Sequence, residues 1–304
     1  MISLKQIHYA LAIEQHLHFK NAADACAVSQ SALSTAITDM ERKLGFQVFE
    51  RDNKKVLVTP LGKQLLEKAR AISLQMGDIG KLVESTQNPL STPMSIGVIP
   101  TIAPYLLPLV LPSLLETYPQ LELTVIEDQS QQLVSEVTNG KLDAAILALP
   151  YPCQNLLHFP FWQEDFYWIA HKDNKMTTQA TVRAKEMQQS NLMLLKEGHC
   201  LKDHVLSACN ISSDAGHSLS GTSLNTLIEL VVSKMGTTLL PQMALESLVQ
   251  HRPSLASVRL DEKGPHREIA FVVRPNYPSV NNIERLGSFM HDKLTSHFQQ
   301  HERC

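Results

Sequence analysis

From Leu61 to Ser85 no proline interrupts the chain, and Leu65, Ala69, Ile72, Met76, Ile79 and Val83 recur at alternating spacings of four and three. That repeat is the a/d stripe of a helix that packs against another helix. A stripe of this kind can be absorbed by the protein's own core, but on a single long helix it more often meets its copy, so these six residues are the expected dimerisation seam. Asn88-Pro-Leu-Ser-Thr-Pro then breaks the helix as a linker. The chain is thereby divided into residues 1–60, a linker helix over 61–88, and a remainder over 89–304, a partition that 304 residues readily support.

Residues 1–60 read as three short helices followed by a polar-tipped β hairpin or wing around Asp52-Asn53-Lys54-Lys55. In the third helix Leu33, Ile37, Met40 and Leu44 form one buried stripe, which leaves Ser31, Ser34, Thr35 and Thr38 on the opposite face. Short hydroxyl residues are poor helix formers, so a solvent face built from them calls for a ligand. With the tight turn at Ala27-Val28-Ser29, the pair reads as a helix-turn-helix. Gln30, Ser31, Ser34, Thr35 and Thr38 would face base edges, and Arg51, Lys54 and Lys55 on the wing would face phosphates. The competing reading is an ordinary surface helix, because seven Lys/Arg against six Asp/Glu in this region leave a net charge of only +1. Cys26 sits on the small-residue side with Ala22 and Ala23 and reads as core.

Beyond the linker, apolar strand-like runs alternate with helical ones, which predicts an α/β fold with a largely parallel sheet, large enough for two lobes. The longest apolar run, Ile102 to Leu115, carries Pro104, Pro108 and Pro112 and is shorter than the ~20 residues that span a bilayer. No signal-peptide pattern opens the chain, and the five cysteines are sparse and odd in number, so a cytoplasmic protein with reduced thiols and no membrane partner is expected. A net charge of −3 provides no whole-molecule attraction for nucleic acid, so DNA must be recognised by a local surface.

Cys200 and Cys209 share the stretch "KEGHCLKDHVLSAC". A helix starting near Leu201 would place Cys200 at its first turn beside His199 and Lys202, all of which favour thiolate, and Cys209 on the buried stripe with Leu201 and Val205. Nine helical residues rise about 13.5 Å, whereas a disulfide needs Cα atoms roughly 4.4–6.8 Å apart. Either the two thiols never bond, or oxidation of Cys200 is followed by unwinding that brings Cys209 to it. Spacing leaves both open. The Cys/His spacing matches no common zinc pattern, so no metal is expected; Cys-x-x-Cys, P-loop and dinucleotide motifs are absent, and no cofactor is expected either.

"FKNAADACAVSQSALSTAITDMERKLGFQVFER" followed by "TPLGKQLL" resembles the winged helix-turn-helix and linker-helix start of LysR-type transcriptional regulators. The order of elements along the whole chain agrees. The resemblance implies a winged helix-turn-helix, a dimerising linker helix and a two-lobed α/β regulatory domain of periplasmic-binding-protein type, with lobe I at about 89–163 and 269–304 and lobe II at about 164–268. "GHCLKDHVLSAC" is similar to the redox segment of the family's hydrogen-peroxide-sensing members. On that likeness Cys200 is the peroxidatic and Cys209 the resolving cysteine, joined in a reversible disulfide, and Thr101, Ser130, His199, Asp203 and Arg267 form the peroxide pocket. Ser130 stands where those members carry threonine, and Lys202 where they carry arginine. The implied partners are operator DNA, hydrogen peroxide, RNA polymerase, a thiol reductant and further copies of the chain as dimer or tetramer. Such a sensor is a regulator and not an enzyme. Two rivals remain: a LysR-type regulator that binds a metabolite in the lobe cleft with structural cysteines, and a thiol peroxidase with an appended helical domain.

Overall fold

The structure is a computed structural model that describes residues 1–52, 55–85, 89–153, 155–188, 190–196, 201 and 220–301. The chain divides into two compact units, Met1–Val83 and Glu84–Cys304.

In the first unit, α1 (Leu4–His16) starts at a capping box in which Ser3 Oγ accepts from the Gln6 backbone N–H and Gln6 Oε1 accepts from the Ser3 N–H. Helices α2 (Phe19–Ala25) and α3 (Gln30–Leu44) follow. Ser29 caps α3 and Gly45, at φ 77°, ends it in the left-handed conformation that glycine adopts without steric cost. Strands β1 (Phe49–Asp52) and β2 (Lys55–Val58) pair antiparallel as the wing. Tyr9, Ile13, Leu33, Ile37, Met40 and Phe49 make the core. Glu41 Oε1 anchors the wing by accepting from the Val48 and Phe49 N–H groups at 2.8 and 3.1 Å.

Helix α4 (Pro60–Ser85) begins where Thr59 Oγ1 accepts from the Gly62 N–H and donates to the Gln47 carbonyl. Gly62 is required there, because a Cβ would lie 2.3 Å from the Val48 oxygen. The anticipated a/d stripe divides in two along α4. Leu65 packs on the unit's own core and Ala69 is buried, whereas Ile72, Met76 and Ile79 remain exposed.

The second unit is a two-lobed α/β domain. Its first segment runs β3 (Met94–Val98), α5 (Ala103–Thr117), β4 (Leu123–Glu127), α6 (Ser130–Thr138), β5 (Ala144–Leu149) and β6 (Leu157–Glu164). The second lobe then provides β7 (Phe166–His171), β8 (Thr181–Val182), α7 (Ala184–Gln188), β9 (Leu194–Leu195), β10 (Ser220–Gly221), α8 (Leu224–Val232), β11 (Thr238–Pro241) and β12 (Leu255–Leu260). The chain returns to the first sheet with β13 (Arg267–Val273) and closes with α9 (Val280–His301).

The two main sheets are ordered β4-β3-β5-β13-β6 and β11-β7-β12-β8. Neither is as parallel as the alternating pattern suggested. Strands β4, β3 and β5 are parallel, but β13 runs antiparallel to both β5 and β6, and β7 antiparallel to both β11 and β12. The cause is connectivity. Strands joined by crossover helices lie parallel, whereas β13 arrives from the other lobe and enters from the opposite end. β6 is interrupted by Pro160, which has no N–H for a ladder, and it occupies the sheet edge where that lack is tolerated. Phe271, Ile146, Leu133, Leu106 and Val110 fill the first lobe, and Trp168, Ile169, Leu240 and Ile228 the second.

Candidate functional site

The parallel register of β3 and β4 pairs Val98 with Glu127. Thr101 and Ser130 each lie three residues beyond that pair, so both stand past the carboxyl ends of adjacent strands. Strand order reverses between β3 and β5, and open α/β sheets bind ligands outside the strand ends at such a point. Thr101 is just ahead of α5 and Ser130 is the first residue of α6, so both stand where backbone N–H groups favour developing negative charge. Gly97 in β3 helps to seat α6, since a Cβ there would lie 2.5 Å from Leu133.

Arg267, the first residue of β13, completes this corner. Its side chain is fully buried, as is that of Glu164, its direct cross-strand neighbour. Arg267 Nε donates to Glu164 Oε1 at 2.7 Å, and Nη2 lies 2.6 Å from the same oxygen. Nη1 donates to Thr101 Oγ1 and Nη2 to the Thr101 carbonyl, each at 3.2 Å. Phe166 lies against the guanidinium at 5.9 Å from ring centroid to Cζ. Because Thr101 Oγ1 accepts from Arg267, its own proton is left to be donated elsewhere. Ser130 Oγ is buried with no hydrogen-bond partner among the described residues. Leaving such a hydroxyl unsatisfied costs about 1–3 kcal/mol, the signature of a group kept for a ligand or an ordered water. Tyr105, one turn into α5, is pushed up to about 12 by burial, opposed by Arg267 and reinforced by Glu127, so it remains a neutral phenol.

The structure therefore bonds Arg267 to Thr101 and places Ser130 at the end of the neighbouring strand. Cys200, Cys209, His199 and Asp203 lie outside the described residues, as do Lys54 and Cys304. Leu201 is buried. Of the other thiols, Cys153 is buried, and Cys26 is half-buried with burial pushing its acidity down. The residue of this corner that sequence reasoning missed is Glu164. The one signal for it is an acid in the polar break Gln163-Glu164-Asp165 of the apolar text "FPFWQEDFYWIA", which is too common to single out.

On the first unit the face of α3 opposite its buried stripe is accessible. Gln30, Ser31, Thr35 and Thr38 are exposed and Ser34 partly so. Thr38 Oγ1 donates to the Ser34 carbonyl at 3.0 Å, and Ser29 Oγ and Ser31 Oγ lie 3.1 Å apart. Arg51 lies in β1 and Lys55 in β2, at the tip of the wing.

Two family models match. Residues 4–63 match the bacterial regulatory helix-turn-helix protein, lysR family, and residues 87–295 the LysR substrate binding domain. The chain belongs to the LysR family of DNA-binding transcription regulators. Within it the chain resembles OxyR. It is 34% identical over 294 residues to a probable hydrogen peroxide-inducible genes activator of Streptomyces viridosporus, covering 96% of this chain and 94% of the relative. It is 32% identical over 300 residues to the dual regulator OxyR of Escherichia coli, covering 98% of each. A relative of another name, the regulator EstR of Acinetobacter baylyi, is 36% identical over 283 residues, with 93% of this chain and 94% of the relative covered.

Among solved structures, a cysteine-to-aspartate variant of full-length OxyR from Pseudomonas aeruginosa matches at a TM-score of 0.78 and 31% identity over 95% of each chain. A hydrogen-peroxide-bound cysteine-to-serine OxyR variant from Corynebacterium glutamicum matches at 0.67 and 29% identity, over 97% of this chain and 94% of that one. The likeness extends from the helix-turn-helix through both lobes.

Proposed function

We propose that this regulator senses hydrogen peroxide through a reversible Cys200–Cys209 disulfide. The observation that carries the reading is the buried corner at the strand ends: Arg267 charge-balanced by Glu164 and bonded to Thr101, with the Ser130 hydroxyl, past the end of the adjacent strand, buried and unpartnered among the described residues. Such a corner is polar and buried. It suits a ligand of two oxygen atoms better than an extended metabolite, and relatives named for hydrogen peroxide support it.

In this reading the Cys200 thiolate attacks one peroxide oxygen, the S–O bond forms as the O–O bond breaks, and the departing hydroxide takes a proton to become water. Thr101, with Ser130 and Arg267, stabilises the charge that builds on the leaving oxygen, and His199 and Asp203 flank the thiol. The Cys209 thiol then attacks the sulfenic sulfur, forming S–S and releasing a second water. Two thiols and one peroxide become one disulfide and two waters. A dithiol reductant returns the thiols.

Gln30, Ser31, Ser34, Thr35 and Thr38 would read operator bases while Arg51, Lys54 and Lys55 hold phosphates. The exposed Ile72, Met76 and Ile79 would pair the linker helix with that of a second copy, as a dimer that further copies convert to a tetramer. RNA polymerase is the partner through which such a cytoplasmic regulator would act. Operator footprinting with and without micromolar peroxide tests the reading. The footprint should change in the wild type and stay constant in Cys200→Ser, and a footprint indifferent to peroxide would instead favour a metabolite effector.

A further inference from the structure

The carboxylate of Glu164 makes more contacts than an ion pair needs. It ends β6, directly across the ladder from Arg267, and both side chains are fully buried. One oxygen, Oε1, takes the Arg267 Nε–H and Nη2 contacts. The other, Oε2, accepts the Met243 backbone N–H at 2.8 Å. Met243 follows β11 and so belongs to the second lobe, whereas Glu164 ends β6 and Arg267 begins β13, both strands of the first sheet and just outside the lobe I limits that the resemblance implied, and Thr101 follows β3 of that sheet. The same strand end is held again nearby, where the Gln242 N–H donates to the Asp165 carbonyl at 3.0 Å.

A buried guanidinium with an open fork could settle in several orientations. Using one edge of that fork on Glu164 leaves the other to meet Thr101, whose carbonyl and hydroxyl receive Nη2 and Nη1. The charge is also balanced in place, so Arg267 acts on the site by donating hydrogen bonds more than by a bare positive field. We propose that Glu164 is the positioning residue of this site, fixing the Arg267 fork on Thr101 and tying that geometry to the second lobe through the Met243 N–H. It acts through Arg267 and Thr101 and does not itself touch the oxidant. The inference rests on the peroxide-sensing reading above.

The consequence is specific to peroxide. Alkylation of Cys200 by iodoacetamide needs the thiolate but no donor aimed at a leaving oxygen, whereas peroxide cleavage needs both. Misplacing a positioned group by about 1 Å can cost on the order of 10²-fold in rate.

The experiment uses the full chain in its reduced form, comparing wild type, Glu164→Gln and Glu164→Asp. Three quantities are read: the rate of Cys200 oxidation by hydrogen peroxide, the rate of Cys200 alkylation by iodoacetamide, and the thermal unfolding midpoint. Expected is a peroxide rate lowered about 10²-fold in Glu164→Gln and about tenfold in Glu164→Asp, with alkylation within about twofold of wild type in both. Glu164→Asp keeps the charge but withdraws it by one methylene, so it carries the test even if Glu164→Gln unfolds. Wild-type peroxide rates in a folded Glu164→Asp would overturn the positioning role, and so would peroxide and alkylation rates that fall together. A wild-type chain whose Cys200 does not react with peroxide would overturn the sensing reading itself, a result read in a different sample.

Discussion

The two polar faces of this molecule use the same small side chains in opposite ways. On α3, Ser31, Thr35 and Thr38 lie in solvent on a helix whose buried stripe alone dictates where they point. At the strand ends of the regulatory unit, Thr101 and Ser130 are buried, and Thr101 accepts from an arginine that enters from another strand far along the chain while Ser130 has no partner among the described residues. An exposed hydroxyl costs little and gains its meaning from a partner. A buried one costs desolvation, so every neighbour must be placed to satisfy it or to leave it deliberately open.

The difference should appear first in stability. Arg267→Ala leaves the Glu164 carboxylate buried and uncompensated, and we expect a loss of about 3–5 kcal/mol in chemical unfolding of the regulatory unit. A loss within about 1 kcal/mol would mean that water reaches this corner and that the contrast drawn above is false. Thr101→Val keeps the shape but removes the hydroxyl. It should slow oxidation of Cys200 by peroxide about 10²-fold or more, the cost of losing one donor to a developing oxyanion, and lower the unfolding free energy by about 1–3 kcal/mol, because Arg267 Nη1 loses its buried acceptor.

On the exposed face the effects should be smaller and confined to DNA. Gln30→Ala should weaken binding to a specific operator by about 1–3 kcal/mol and leave unfolding alone, as titration against matched and mismatched sites would show. Equal weakening on every sequence would reduce Gln30 to a phosphate contact. The smallest effect concerns Tyr105, whose ionisation is pushed up to about 12 from 10.0. A raised folded value means that the unfolded chain loses its proton first. Stability from this group is whole below the unfolded value, falls as pH rises through the window, and is lost above about 12. Tyr105→Phe should flatten that alkaline decline in a stability-versus-pH series, and an unchanged slope would place the decline on other groups.

The exposed face was legible from sequence because helical period and the stripe Leu33, Ile37, Met40 fix it locally. The wing, the long helix and the alternation into two α/β lobes were legible for the same reason. The family resemblance supplied Thr101, Ser130 and Arg267; the strand register places Thr101 and Ser130 at adjacent strand ends, and Arg267 reaches Thr101 from β13. Glu164 was invisible, since its role depends on a cross-strand pairing with Arg267, and no local pattern encodes a partner 103 positions away. The direction of β13 was likewise hidden: an apolar run reads the same from either end, and only the route of the chain through the second lobe sets it antiparallel. β6 is hard to read from sequence, because Pro160 argues against a strand unless the strand is known to be at an edge. The stripe on α4 was legible as a whole, but not its division between Leu65 and Ala69, turned inward, and Ile72, Met76 and Ile79, left open.

One peroxide molecule should be consumed by two particular thiols of this chain. Thiol counting under denaturing conditions after a stoichiometric dose of hydrogen peroxide, with peptide mass mapping, tests it most directly. Of the five cysteines, three should remain titratable in the wild type, with Cys200 and Cys209 recovered as one disulfide-linked pair and the loss reversed by a dithiol reductant. In Cys200→Ser all four remaining thiols should survive the same dose. Five intact thiols in the wild type, or a disulfide between any other pair, would contradict the account.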